Sequence, residues 1–195
     1  MLEEKRMLKT KILGKNEIFF NEINSTQIKA KQLAEEGIDN GTIIITNNQT
    51  NGIGTHDRKW YSSNGKNLMF TMIIYPKCKI DNLKTLTIDI AKIFNKSISN
   101  LYNIELEIKE PNDIVYNKKK MGGILSQITT KGNVIKYLLI GIGFNVNQTE
   151  FNDEIKEIAT SMKIEFNQEF EIKEILYNFL NDFEQYCIRK EIIDA

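Results

Sequence analysis

The sequence predicts an α+β fold, and three observations carry it. Six short apolar stretches have the length and pattern of strands. Two longer ones repeat at helical spacing, a third has helix-forming composition, and nothing in the 195 residues forms an internal repeat or a low-complexity linker. Strands are expected at 18–23, 42–46, 67–75, 104–109, 121–130 and 134–141. Ile104-Glu-Leu-Glu-Ile108 alternates apolar and polar residues, like a strand with one buried face. Residues 134–140 are apolar almost throughout, as in a central strand. Residues 26–36 have helix-forming composition, with Ser25 placed to cap the start and Gly37 to stop it. Leu83, Leu86, Ile90, Ile93, Phe94 and Ile98 mark an amphipathic helix over about 81–102. Ile172, Ile175, Leu176, Phe179, Leu180 and Phe183 mark another, ending near Lys190. Both stripes are core.

Composition narrows the function. The length suits one domain with one core, and 41% hydrophobic residues are enough to build it. Lys+Arg and Asp+Glu are equal at 26 each, so global charge points neither to nucleic acid nor to an acidic membrane. No run has transmembrane length and the N-terminus lacks a signal-peptide core, which makes the cytoplasm the expected location. Cys78 and Cys187 are expected to be free thiols there. One histidine and no Cys-x-x-Cys leave no zinc pattern.

Chemistry gathers in 109–127. Pro111 cannot continue a ladder, so the chain turns at Pro111-Asn112-Asp113. Asn117 and Lys118 suit a tight reversal, and the returning strand brings Lys120 beside Asp113. Carboxylate, amide and lysine together suit a phosphate-bearing ligand or a developing negative charge. A plain surface hairpin with a solvated lysine run would read the same way in isolation. Two glycine loops alter the balance. Gln49-Thr50-Asn51-Gly52-Ile53-Gly54-Thr55-His56-Asp57-Arg58-Lys59-Trp60 follows a strand and precedes no helix pattern, which disfavours a dinucleotide fingerprint. Its glycines let backbone amides approach an anion. Gly141-Ile142-Gly143-Phe144-Asn145-Val146-Asn147 ends the most apolar strand, where glycine lets another group pack closely.

In these pieces the chain resembles the biotin–protein ligase family, which attaches biotin to carboxylase carrier domains. The matching segments keep the family's order: Asn24-Ser25-Thr26, Gln49-Thr50-Asn51-Gly52-x-Gly54, Arg58-Lys59-Trp60, Asn67-Leu68 and Pro111-Asn112-Asp113. Lys120-Met121-Gly122-Gly123-Ile124-Leu125 and Gly141-Ile142-Gly143-Phe144-Asn145-Val146 complete the set. The likeness covers about residues 17–185.

The resemblance implies a mixed, largely antiparallel sheet with helices on one face, related to class II aminoacyl-tRNA synthetases. It also implies a single catalytic domain. With only Met1 to Asn16 before the first strand and a helix at the end, neither an N-terminal DNA-binding domain nor a C-terminal β-barrel-like domain is expected. Family chemistry joins biotin to ATP as biotinyl-adenylate, then transfers biotin to a lysine of a biotin carboxyl carrier protein. The implied roles follow residue by residue. Lys120 bridges the biotin carboxylate and the α-phosphate, with Asn112 and Asp113 at the nucleotide end and Asp113 able to touch Mg2+. Ser25, Thr26, Gln49, Gly52, Gly54, Gly122 and Gly123 surround biotin. Thr55, His56, Arg58, Trp60, Lys109, Gly141, Gly143 and Asn145 face ATP or the adenylate. Dimers are common in the family, so a homodimer is compatible with the resemblance; no membrane or nucleic-acid partner is expected.

The chain departs from the family's pattern at several positions. Ile53 and Thr55 stand where arginines are usual, Asp57 where glycine is, Glu110 for a tryptophan, and Gln27 for the asparagine after Ser-Thr. These changes bear on phosphate handling more than on biotin. Three readings therefore compete: an active ligase with a variant phosphate loop, a paralogue that binds biotin or its adenylate but catalyses poorly, and a lipoate or octanoate transferase. The last is disfavoured because its arginine- and glycine-rich substrate loop is not found.

Overall fold

A computed structural model describes residues 7–62 and 65–194. The elements run β1 (Glu17–Ile23), α1 (Thr26–Glu36), β2 (Ile43–Gln49), β3 (Gly52–Ile53), β4 (Lys59–Trp60) and β5 (Leu68–Ile74). They continue with α2 (Leu86–Tyr102), β6 (Glu107–Lys109), β7 (Asp113–Tyr116), β8 (Lys119–Lys131), β9 (Val134–Phe144), α3 (Met162–Phe166) and α4 (Ile172–Arg189). Seven strands form one sheet in the order β1-β2-β5-β9-β8-β7-β6, and β3 and β4 form a separate two-stranded ribbon. Only β1 and β2 run parallel in the large sheet; its other neighbours are antiparallel. The α+β, mixed and largely antiparallel architecture expected from the sequence is the one observed.

Strand alternation assigns the two faces. Phe70, Met72 and Ile74 of β5, with Leu138, Ile140 and Ile142 of β9, join the buried stripes of α2 and α4 in one core. Phe94 of α2 sits at its centre, with ring centroids 4.8 Å from Phe144 and 5.5 Å from Phe179. Ile73 of β5, Ile44 of β2, and Tyr137 and Leu139 of β9 point the other way and bury Ala30 and Ala34 of α1. The two long helices thus take one face, as the resemblance implied, whereas α1 takes the opposite one. β5 is buried along its whole length because it is covered from both sides.

Several details differ from the sequence reading. Ile80–Leu83 forms a separate 3-10 turn, so α2 begins only at Leu86. The ribbon β3–β4 and the short α3 have too few residues to show periodicity, and the sequence does not reveal them. Gly37 ends α1 in a left-handed conformation, φ 80°, as expected. Ser25 occupies the N-cap position, but its side chain makes no capping bond. The first amide of the helix, Thr26 N, is taken at 2.8 Å by Oε1 of Gln49, the last residue of β2. Cys78 and Cys187 are both free. Among the described residues no helix is long and apolar enough to cross a membrane.

Candidate functional site

A cavity of about 590 Å³ opens on the α1 side of the sheet, between α1, the β3–β4 ribbon, the β6–β8 edge and the loop after β9. One end is neutral and hydrogen-bonding. There the Thr71 hydroxyl lies 2.9 Å from Thr26 Oγ1 and 3.1 Å from Gln27 Oε1. Thr26 Oγ1 in turn is 3.1 Å from Gln49 Oε1, and Gln27 Nε2 donates to Gln127 Oε1 at 2.9 Å. Among the described residues the Gln49 amide nitrogen meets only the Met69 sulfur, at 3.8 Å. Its donor capacity is largely unspent. Gly141 is what lets this network close: a Cβ there would stand 2.7 Å from Gln27 Oε1.

The other end is cationic. Among the described residues Arg58, Lys59, Lys109, Lys118 and Lys120 line the cavity, five cations against one carboxylate, Asp113. On a chain whose formal charges balance, this is a local concentration of positive charge. Lys120 Nζ donates to Asp113 Oδ1 at 2.6 Å. Lys120 reaches the cavity because the β7–β8 ladder slips between Ile114 and Val115. In a regular strand Lys120 and Gly123 would face opposite sides. The bulge turns both Met121 and Gly122 to the core, where a Cβ on Gly122 would strike Phe144, and leaves Lys120 and Gly123 on the cavity side. The Lys120 backbone also binds the loop after β9, donating to Ile158 O at 2.7 Å and accepting from Thr160 N at 2.9 Å.

A flat apolar wall joins the two ends. The Trp60 indole lies on Gly143, so closely that a Cβ would be 2.7 Å from Cζ2 and nearer still to Cε2. Ile155, Ile158 and Ala159 line the opposite side. Two buried polar atoms at this wall, Trp60 Nε1 and Asn145 Oδ1, have no hydrogen-bond partner among the described residues. One is a donor and the other an acceptor, so a heterocycle with both functions would satisfy them. The Tyr61 hydroxyl donates to Glu154 Oε2 and ties the ribbon to the 150s loop; that bond holds the phenol's pKa above its usual value.

Of the residues singled out from sequence, the cavity brings together Thr26, Gln49, Gly54, Thr55, Arg58, Trp60, Lys109, Asn112, Asp113, Lys120, Gly123, Gly141, Gly143 and Asn145. Four do not line it. Ser25 is 1% exposed behind Thr26, with Oγ unpartnered. Gly52 is needed for the ribbon instead, because a Cβ would sit 2.5 Å from Trp60 O. Gly122 faces the core, and His56 is an exposed residue in a left-handed turn, φ 54°. The Asp57 side chain lies outside what is described, as do residues 1–6 of the expected N-terminal segment. Asn112 is tied to β8 through Nδ2 to Ile124 O at 3.1 Å.

Sequence reading missed Thr71, Lys118 and Tyr61 and noted Gln27 only as a departure. Thr71 had a signal, being the one polar residue in the apolar strand Leu68–Ile74. Lys118 had one too, standing two residues from Lys120 and so able to share its side of the strand.

Comparison with known proteins identifies the family. Residues 19–145 match the Biotin/lipoate A/B protein ligase family. The bifunctional ligase/repressor BirA of Bacillus subtilis is 33% identical over 180 residues, 91% of this chain and 55% of BirA. The biotin–protein ligase of Homo sapiens is 32% identical over 173 residues, covering 81% of this chain and 23% of that protein. The solved structure of the biotin protein ligase from Aquifex aeolicus in complex with biotin and ATP aligns with a TM-score of 0.77 at 30% identity, over 91% of this chain and 73% of that one. The chain spans about half the length of the BirA relatives it matches. By sequence and by fold, it belongs to the Biotin/lipoate A/B protein ligase family.

Proposed function

We propose that the chain is a biotin–protein ligase, which forms biotinyl-adenylate from biotin and ATP and transfers biotin to a lysine of a carrier domain. The observation that carries this reading is the polarity of one cavity, from a neutral amide-and-hydroxyl end to a cationic end. Biotin has the matching order: a ureido ring that needs donors and acceptors, an apolar tail, and a carboxylate. A lipoyl or octanoyl chain would offer no acceptor to the Gln49 amide nitrogen, which otherwise has the Met69 sulfur at 3.8 Å, and an unpaired buried polar group costs about 1–3 kcal/mol. Relatives named as biotin–protein ligases, and the Aquifex aeolicus structure holding biotin and ATP, support the same choice.

In the first step a biotin carboxylate oxygen bonds to the α-phosphorus of ATP, and the bond to the β-phosphate oxygen breaks, releasing pyrophosphate. Lys120 exchanges Asp113 for these two anions and holds them together, so the protein contributes positioning and charge rather than a nucleophile. Trp60 and the wall opposite it hold the adenine, with Asn145 Oδ1 and Trp60 Nε1 as its polar partners. In the second step the carrier lysine's amine attacks the acyl carbon, AMP leaves, and the amine's proton passes to solvent. Among the described residues Asp113 is the sole carboxylate lining the cavity, and it is engaged by Lys120. Among the described residues no group of three or more His, Cys, Asp or Glu side chains could hold a metal. Magnesium therefore enters with the nucleotide as part of the substrate, bound mainly by phosphates. The cytoplasm, where ATP and carrier domains can meet, is the location that goes with this reading.

The test is pyrophosphate release with biotin and ATP, followed by a streptavidin blot of a carrier domain. Release that requires biotin and is not reproduced by octanoate or lipoate supports the reading. Biotin binding without release would mark a binding paralogue, and release with lipoate alone would overturn the assignment.

A further inference from the structure

We infer that Lys118 holds the β- and γ-phosphates of the nucleoside triphosphate, a contact supplied by the β7–β8 turn rather than by the glycine loop. The inference rests on the nucleotide part of the function proposed above. Asn117 and Lys118 form the two-residue connection, both with left-handed backbone, φ 48° and 66°. Asparagine tolerates that conformation and glycine is the usual companion; a lysine there is strained. Strain of this kind persists where the surroundings fix it. Here Asn117 Nδ2 donates to Glu165 Oε2 at 3.2 Å, and Glu165 Oε1 accepts from Thr160 Oγ1 at 2.6 Å, so the turn is pinned against α3.

The pinned turn carries Lys118 to the cavity although the residue itself is exposed. Lys119, between the two cavity lysines, does not line it. Lys120 spends its charge on Asp113, but among the described residues no carboxylate pairs with Lys118, Lys109 or Arg58. Position sets the order of contacts. Along β8 the cavity side runs from Gln127, behind the neutral end, through Leu125 and Gly123 to Lys120, with Lys118 outermost. A ligand whose α-phosphate meets Lys120 therefore directs its outer phosphates toward Lys118, in the turn that precedes β8. The facing loop has Ile53 and Thr55 at the cavity, and neither carries a charge.

The experiment compares ATP and AMP binding by calorimetry in the parent protein, Lys118→Gln and Lys119→Gln, with biotin titrated separately. Lys118→Gln should weaken ATP about tenfold while changing AMP less than twofold, and Lys119→Gln should change neither. Equal losses for ATP and AMP, no loss, an equal effect in Lys119→Gln, or a parent that does not bind ATP would overturn the inference. The biotin arm stands apart. A parent that separates ATP from AMP through Lys118 yet ignores biotin would retain this phosphate contact while refuting the proposed ligase.

Discussion

Lys120 donates to Asp113 at 2.6 Å, although register pairs Asp113 with Gly123 and Lys120 with Val115. The β-bulge at Met121 brings the two side chains together on the cavity side. Lys120 keeps 37% of its side chain exposed and Asp113 22%, so the pair is only partly withdrawn from water. Such pairs contribute about 0–1 kcal/mol. Asp113 therefore parks the ammonium without trapping it, which leaves Lys120 free to move to two substrate anions as the proposed function has it.

Lys120→Ala should nearly abolish adenylate formation and leave the fold intact. Removing a preorganised contact to developing charge costs roughly 3–4 kcal/mol of barrier, a loss of several hundredfold or more. Pyrophosphate release and a thermal melt, run together, check both parts. Parent-like turnover would move the chemistry away from this lysine.

Gln49 has two duties, so Gln49→Ala should show two losses. Its carbonyl takes the first amide of α1, and under the proposed function its amide nitrogen, now 3.8 Å from the Met69 sulfur, donates to biotin. Losing a helix cap costs about 1 kcal/mol, and an unpaired ligand group costs about 1–3 kcal/mol of affinity. Chemical denaturation reads the first and biotin calorimetry the second. A stability loss with unchanged biotin affinity would leave Gln49 as a cap alone.

Sequence and structure agree where periodicity is long. α1 falls at Thr26–Glu36 as expected, and the apolar stripes of α2 and α4 form the core. Site residues held in one motif, such as Asn112, Asp113 and Lys120, were legible because the strand pair is local. The neutral end was less so, since Gln27, Thr71 and Gln127 meet only when α1 folds onto β5 and β8. Gly52 has a second reason that the sequence does not reveal: glycine at a loop fits ligand approach and close strand packing equally well, and the Trp60 carbonyl beside it shows the packing.

Gly143→Ala should weaken the nucleotide and spare biotin. The new methyl would enter the space of the Trp60 indole, and overpacking typically costs about 1–3 kcal/mol. Trp60 is the chain's one tryptophan, so its fluorescence reports the displacement directly. An unshifted spectrum with parent-like ATP affinity would show that the indole yields without consequence.

Glu184 should matter for stability and not for chemistry. It is 2% exposed, and its carboxylate accepts from Lys11 N at 2.6 Å, Ile12 N at 2.9 Å and Leu13 N at 2.8 Å, fastening the N-terminal segment to α4. Glu184→Ala leaves three amides without that acceptor and should cost on the order of 3 kcal/mol. Denaturant titration measures the cost, and unchanged KM values for biotin and ATP would separate it from the site.

Thr55→Arg should tighten retention of the adenylate. Thr55 and Ile53 face the cavity with one hydroxyl and no charge between them. An arginine could make charge-assisted, bidentate bonds to the adenylate phosphate, the strongest contact a loop side chain offers. Gly54 N already donates to Arg58 O at 2.7 Å, so the loop is closed without a ligand and need not be rebuilt to receive the new side chain. The parent protein, lacking that contact, should release biotinyl-adenylate that then acylates lysines on bystander proteins. Incubation with biotin, ATP and an unrelated lysine-rich protein, read on a streptavidin blot, should give bystander labelling by the parent and less by Thr55→Arg, with carrier labelling preserved in both. A blank lane for the parent beside a strongly labelled carrier would mean that Arg58, Lys109, Lys118 and Lys120 retain the intermediate without help from the glycine loop.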